Sequence, residues 1–481
     1  MFEKNETPST ISLLEQFTKR SFVMNKSQAN CTTIGAFYQS KHVESKIFFG
    51  FDHLSLSPMA IIINHAIDYI DLSFFNQYYK ANKIVGGRPN FNFKVLLKIF
   101  LFSLYQNIPL RQLRNNCAVG SNLHYLSCES KEFPSRQLIS KFLNILDMHI
   151  DVIFTSILDF ICLYVYLDTS ILYCDGTPFE ANNSRHKIIT KTNIERSNKK
   201  WNNLINGANK NSEVVQLAQA KINLNILRIK KLNELNRDSY GKTDEDCVIL
   251  QNKSKAFIAG YNVKLITENM HGLIVYACIS NKNPDHAVFL DIVDDLINRC
   301  RPDKIVFDSG YGIVDILVKL RKHGVIPIVK AIKNKKSDKI TDNCFRLSND
   351  DNYLICPSEE KLHNIKVDGN IYSYKGSNCL NCNLKENCSP KTKNKRVDIN
   401  LTEFKILKET EEIFNSEYGQ KLYSKRSNKC ESPYGFIKNN LNGEKLKMNG
   451  IIRNRTIMYC NSILYNLSRF ISITCDIENN I

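Results

Sequence analysis

Two short apolar runs, each closed by an aspartate and a small residue, constrain this chain more than any other feature: ILYC before Asp175-Gly176, and KIVF before Asp308-Ser309-Gly310. Apolar runs of this length, bounded by turn-forming residues, read as buried strands. The segments around them complete a pattern. SILYC predicts a strand closing at Asp175. Ala256–Thr267 and Gly272–Ile279, joined by ENMHG, predict an antiparallel hairpin. Asp285–Asn298 predicts a helix, KIVFD a strand closing at Asp308, Tyr311–His323 a helix, and VIPIVK a further strand. A last helix is expected to start around Glu431.

Strand, hairpin, helix, strand, helix, strand is the order of an α/β, ribonuclease-H-like mixed sheet. The expected catalytic core spans 167–330 and resumes, as a helical part, over 421–475. Two insertions interrupt it. The first, about 181–253, carries the basic stretch Lys187–Lys200, the single Trp201 and an amphipathic helix over Val214–Asn236. The second, 331–420, carries a cysteine cluster.

Upstream, residues 1–48 are polar and weakly patterned and read as a flexible arm, with Ile47–Phe49 as a possible short strand. A helical DNA-binding domain is expected over 49–166, where from about Leu54 to Tyr166 the apolar residues recur at helical spacing, as in PMAIIINHAIDYI, NFKVLLKIFLFSLY and the long run opened by Pro134. Arg111 and Arg114 lie on a short segment opened by Pro109. Short helices with basic faces suit a helix-turn-helix DNA reader, and a plain helical bundle gives the same pattern.

Asp175 and Asp308 both fall where an apolar strand runs into small residues, the edge at which open α/β sheets bind ligands. Glu431, in KRSNKCESPYGFIKNN, is expected to lie across those strand ends. Three converging carboxylates repel one another unless a cation lies between them. Oxygen donors select hard ions, so Mg²⁺ or Mn²⁺ is expected, with two ions serving an in-line displacement at phosphorus. Tyr423, Arg426 and Lys438 flank Glu431, and an Arg and a Lys beside a catalytic acid suit phosphate gripping. Cys379, Cys382 and Cys388 form C-x2-C-x5-C, with Cys356 upstream. Four thiolates match a structural Zn²⁺ site, and reduced, unliganded thiols are the alternative. The other cysteines are scattered and read as core residues.

At these residues the chain resembles the DDE transposases of bacterial insertion sequences, and more narrowly the group with a cysteine-bearing insertion before the final Glu. The matching pieces are FFNQYYKANKIVGGRPNFNFKVLLKIFLFSLYQNIPLRQLRNNC, YCDGTPFEANNSRH, FIAGYNVKLITENMHGLIV, IVFDSGYG, ICPSEEKL with CLNCNLKENC, and YSKRSNKCESPYGFIKN. The resemblance implies that Asp175, Asp308 and Glu431 form the catalytic triad, and that Tyr423, Arg426 and Lys438 contact DNA and position its ends. It also implies binding to terminal inverted repeats, cleavage and strand transfer without an external energy source, and a dimer or larger assembly. The gap from Arg426 to Glu431 is one residue longer than in the best-known form of that motif.

Composition agrees with this reading. Lys and Arg total 65 against 48 Asp and Glu, a net charge of +17, which favours a polyanion such as double-stranded DNA. No secretory signal or membrane-spanning stretch is read, so a cytoplasmic protein with reduced thiols is expected. The absence of a GKS or GKT phosphate loop argues against an ATP-driven motor, and the absence of a nucleophile elbow argues against a serine hydrolase. A DNA-binding relative that no longer cuts, and another ribonuclease-H-like nuclease, are the competing readings.

Overall fold

The structure is a computed structural model that describes residues 56–78, 92–113, 121–127, 134–207, 213–252, 255–330, 344–388 and 393–479. The expected arm at 1–48 and Arg114 lie outside the described residues.

Among the described residues four α-helices come first: α1 (Pro58–Tyr69), α2 (Phe93–Tyr105), α3 (Asn122–Leu126) and α4 (Arg136–Cys162). Each begins at a polar cap. The side chains of Ser57, Asn92, Ser121 and Ser135 accept the N–H of Ala60, Lys94, His124 and Leu138, satisfying donors that the helix cannot pair internally. The run after Pro134 is therefore a single helix. Helix α2 is apolar nearly all round and buries even Lys98, whose ammonium is held by Asn64 at 2.8 Å and Asp68 at 2.6 Å.

The sheet starts with β1 (Ile171–Glu180), followed by β2 (Ile188–Thr190), helices α5 (Lys191–Gly207) and α6 (Glu213–Glu234), and β3 (Ser239–Gly241). Strands β4 (Val248–Gln251), β5 (Phe257–Glu268) and β6 (Ile274–Ser280) come next, then α7 (Asp285–Cys300), β7 (Lys304–Phe307), α8 (Val314–Lys322) and β8 (Ile326–Ile328). The main sheet runs β4-β5-β1-β7-β8, with β6 also on β5. β1 is antiparallel to β5 and parallel to β7, and β7 is parallel to β8. This mixed α/β arrangement, a hairpin on one side of β1 and parallel strands on the other, fits the ribonuclease-H-like order expected from the pattern.

The ENMHG turn is organised by Glu268, which is buried and accepts the N–H of Met270, His271 and Leu273. Gly272 completes the turn at φ +71°, a conformation that costs glycine least.

Two expectations are corrected. β1 does not close at Asp175; it continues to Glu180, because Asp175–Glu180 stay paired with Leu265–Gly260 of β5. Only the register with β7 stops, at Cys174 opposite Phe307. Pro178, which has no N–H to offer, is tolerated on this overhanging length. Likewise Glu431 is not at a helix start, but lies five residues into a helix that begins at Arg426.

The second insertion is a sheet of its own, ordered β13-β12-β11-β10-β9. Its strands are β9 (Arg346–Leu347), β10 (Tyr353–Ile355), β11 (Lys361–Asp368), β12 (Ile371–Gly376) and, after the short α9 (Lys385–Cys388), β13 (Arg396–Asn400). The chain then returns through α10 (Leu401–Asn415), α11 (Glu417–Ser424), α12 (Arg426–Gly435), a wide helical turn at Phe436–Asn440, and the long α13 (Ile451–Asn479).

Both sheet faces are covered. Val263, Leu265, Ile274 and Ala277 share one apolar core with α1, α2, α4 and α13, so the N-terminal helices and the sheet are packed together. On the other face Leu172, Cys174, Ile305 and Phe307 pack against Phe289, Leu296, Leu317 and Leu320 of α7 and α8. Each buried Leu or Phe contributes roughly 1.5–3 kcal/mol. Asn466 of α13 closes the β6 edge: its amide accepts the Ile274 N–H and donates to the Ile274 carbonyl, both at 2.8 Å.

Candidate active site

Side chains alternate along β1, so Tyr173, Asp175 and Thr177 face α12 while Cys174 and Gly176 face α7. Helix α12 is held on that face by three contacts. Tyr434 places its hydroxyl 2.8 Å from the Asp175 carbonyl and 3.2 Å from that of Val263, and accepts the Leu265 N–H at 2.9 Å. It thus sits between β1 and β5 at the register of Asp175. Pro433 lies inside the helix and cannot donate to the carbonyl four residues back, that of Lys429. The Thr267 hydroxyl donates there instead, at 3.2 Å. Lys429 in turn donates to the Met270 carbonyl at 2.8 Å, tying α12 to the hairpin turn.

The two aspartates come together. Asp175 accepts the N–H of Gly176 at 2.9 Å, and Asp308 accepts that of Ser309 at 2.8 Å, so each carboxylate is locked by the small residue that follows it. Between them lies Arg426, with Nη2 3.3 Å from Asp175 Oδ1 and 3.9 Å from Asp308 Oδ2. Asp175 and Arg426 are 14% and 15% exposed and Asp308 50%, so the site opens to solvent on the Asp308 side. Burial works against the Arg426 charge, but Asp175, followed by Cys430 and Asp308, outweighs it and raises its pKa above the usual arginine value. Its Nε is buried without a hydrogen-bond partner among the described residues. The Cys430 thiol, packed beneath, is pushed well above its ordinary pKa by burial and by Asp175.

Glu431 is on the same helix but exposed, and among the described residues its carboxylate makes no hydrogen bond or ion pair. Lys438 reaches back to β1, 3.3 Å from the Thr177 hydroxyl and 3.4 Å from the Pro178 carbonyl, with its ammonium 4.9 Å from the centre of the Phe179 ring. Tyr423 is half-buried and packs edge-on against Phe414 at 5.0 Å. Arg111 is exposed in the helical block.

Two oxygen donors already directed at one cationic group suit a hard divalent ion by donor type and charge. Among the described residues, however, no three His, Cys, Asp or Glu side chains are arranged to hold a metal ion. The same holds for the cysteine cluster, although Cys356, Cys379, Cys382 and Cys388 line one pocket. There the Cys379 sulfur accepts the Lys395 N–H at 3.4 Å and the Cys382 sulfur lies 3.1 Å from the Ser358 hydroxyl. Burial raises the pKa of the Cys388 thiol; Lys395 opposes this, and the other three cysteines add to it.

Sequence reasoning missed two residues here. Tyr434 reads as an ordinary aromatic, and only Pro433 beside it hints at an unusual helix face. Lys264, buried next to Gly176, lies in the hairpin strand, where lysine normally marks an exposed face.

Residues 236–467 match the family described as Transposase DDE domain, and residues 52–144 match the Transposase domain (DUF772). The first span contains Asp308, Arg426, Glu431 and Lys438 and begins after Asp175; the second contains Arg111 and Arg114. No curated protein matches the chain by sequence. Among solved structures, a piggyBac transposase synaptic complex with hairpin DNA aligns over 90% of this chain and 75% of that chain, at 10% identity and a TM-score of 0.32. That likeness is too loose to carry any conclusion. Among the described residues no helix is long and apolar enough to cross a membrane.

Proposed function

We propose that this chain, an enzyme of the transposase class, binds the terminal inverted repeats of a bacterial insertion sequence, cuts the phosphodiester at each end and joins the freed 3′-hydroxyl to target DNA. The observation that carries the reading is the pairing of Asp175 and Asp308 around Arg426, on the helix that also bears Glu431. In this reading Asp175, Asp308 and Glu431 hold two Mg²⁺ or Mn²⁺ ions. When bound, such ions acidify a water and stabilise the attacking and leaving oxygens at phosphorus.

The protein's own groups do the rest. Asp175 and Asp308 are preset by their neighbouring N–H groups. Arg426 keeps the pair from repelling before the ions arrive, then turns its guanidinium to a phosphate, for which its planar donors are suited. Lys438 and Tyr423 position the DNA end. Arg111, Arg114 and the exposed basic residues of α5 (Lys191, Arg196, Lys199 and Lys200) grip the flanking backbone, a contact that depends on salt. Strand transfer exchanges one phosphodiester for another, so no nucleotide is consumed. Holding both ends together calls for a homodimer or larger assembly. Cys356, Cys379, Cys382 and Cys388 hold a structural Zn²⁺ that braces the inserted sheet; their convergence on one pocket supports this.

The test is cleavage by the purified chain of DNA carrying the inverted repeats that flank its gene. Wild type should cut only with Mg²⁺ or Mn²⁺, and Asp308→Asn should not cut. Normal cleavage by Asp308→Asn would remove the assignment. The solvent-facing Glu431 keeps one other reading in play, a DNA-binding relative that no longer cuts. That reading predicts end binding without cleavage by the wild type.

A further inference from the structure

Behind the aspartates, on the opposite face of the sheet, Lys264 is fully buried. It stands on β5 directly opposite Gly176, the residue after Asp175. Its ammonium donates to Asp285 Oδ1 at 2.8 Å and to the Tyr311 hydroxyl at 2.5 Å, and lies 4.9 Å from the centre of the Tyr311 ring. Asp285 is the first residue of α7 and also accepts from the Asn262 amide at 2.8 Å. Tyr311 ends the turn that Asp308 opens, and its N–H donates to the Asp308 carbonyl at 3.0 Å.

One buried cation therefore links β5, which pairs with the Asp175 strand at Gly176, to the start of α7 and to the turn that carries Asp308. Gly176 is part of the arrangement. A Cβ there would stand 2.5 Å from the Lys264 nitrogen, 2.7 Å from Asp285 Oδ1 and 3.2 Å from the Tyr311 hydroxyl. A buried lysine is costly unless paired and hydrogen-bonded, and this one has both an anionic partner, Asp285, and a hydroxyl partner, Tyr311.

We propose that Lys264, with Asp285 and Tyr311, is a positioning group that sets the separation of Asp175 and Asp308 and so the affinity of their site for divalent ions. The inference rests on the metal-dependent reading above. Asp285 neutralises the ammonium, so the lysine can brace the two acids without competing for them. Groups that orient metal-binding carboxylates from behind are typically worth 10–100-fold in metal affinity.

The experiment measures Mn²⁺ binding to the full-length protein, without DNA, from the loss of the free-ion electron paramagnetic resonance signal. Wild type, Asp308→Asn, Tyr311→Phe and Lys264→Met are compared. Tyr311→Phe removes a single hydroxyl and keeps the ring, so it reports even where Lys264→Met does not fold. Circular dichroism confirms that each variant is folded. The expected result is loss of Mn²⁺ binding in Asp308→Asn and roughly tenfold weaker binding in folded Tyr311→Phe. Wild-type affinity in Tyr311→Phe, with binding lost in Asp308→Asn, overturns the positioning role and leaves the carboxylate site standing. Wild-type affinity in Asp308→Asn overturns both.

Discussion

The Arg426 guanidinium stands 3.3 Å from the Asp175 carboxylate, nearer than its 3.9 Å to Asp308, so one side-chain cation offsets two acids that would otherwise repel. Replacing it with alanine leaves Asp175, 14% exposed, with an uncompensated neighbour. Arg426→Ala should lower the unfolding free energy by about 1–3 kcal/mol in the absence of divalent ions. An ion that binds only the folded state adds stability. Mn²⁺ should therefore raise the melting temperature of the variant more than that of the wild type. Equal shifts in the two proteins would contradict the assignment.

Tyr434 provides a second test. Its hydroxyl satisfies the Leu265 N–H inside the sheet. Tyr434→Phe should lower stability by about 1–3 kcal/mol in urea denaturation, the usual cost of leaving a buried donor unpaired. A variant as stable as the wild type would show that the hydroxyl does not hold α12 on β1.

How much of this could be read in the sequence depends on how local its causes are. The strand at Lys304–Phe307 and the turn after Asp308 follow from apolar and small residues in immediate succession, and both are observed. The hairpin is legible for the same reason. The length of β1 is not, because Gly176 and Pro178 read as turn residues and only pairing with β5 keeps them extended. The inserted sheet is hidden too. β11 runs Lys361–Asp368 with most of its side chains exposed, so the alternation that marks a strand is missing. The inward direction of Arg426 and the burial of Lys264 arise from contacts between residues far apart in the chain, which spacing alone does not reveal.

The β6 edge leads to a third prediction. Asn466 is fully buried and serves both backbone groups of Ile274. Asn466→Leu should cost about 2 kcal/mol or more, since two buried polar groups lose their partner together. Hydrogen exchange at Ile274 should speed up while exchange in α7 stays slow. Unchanged protection at Ile274 would rule out the edge-closing role.

The thiols offer a fourth. Burial and Asp175 hold the Cys430 thiol well above its ordinary pKa, whereas Cys344 is exposed. Only the thiolate reacts. At pH 8, alkylation of the folded protein followed by mass spectrometry should find Cys344 modified and Cys430 protected, with Cys430 reacting on denaturation. Rapid labelling of Cys430 in the folded chain would mean that α12 does not rest on the sheet as described.

In the proposed reading Asp175, Asp308 and Glu431 together would hold the two divalent ions. Replacing the bound ion with Fe²⁺ and adding ascorbate and peroxide generates hydroxyl radicals that cut the polypeptide next to the metal, and the fragments can be mapped by mass spectrometry. This three-acid site predicts cuts near residues 175, 308 and 431, suppressed by excess Mg²⁺ and lost in Asp308→Asn. Cuts confined to other parts of the chain, or an unchanged pattern in Asp308→Asn, would contradict it.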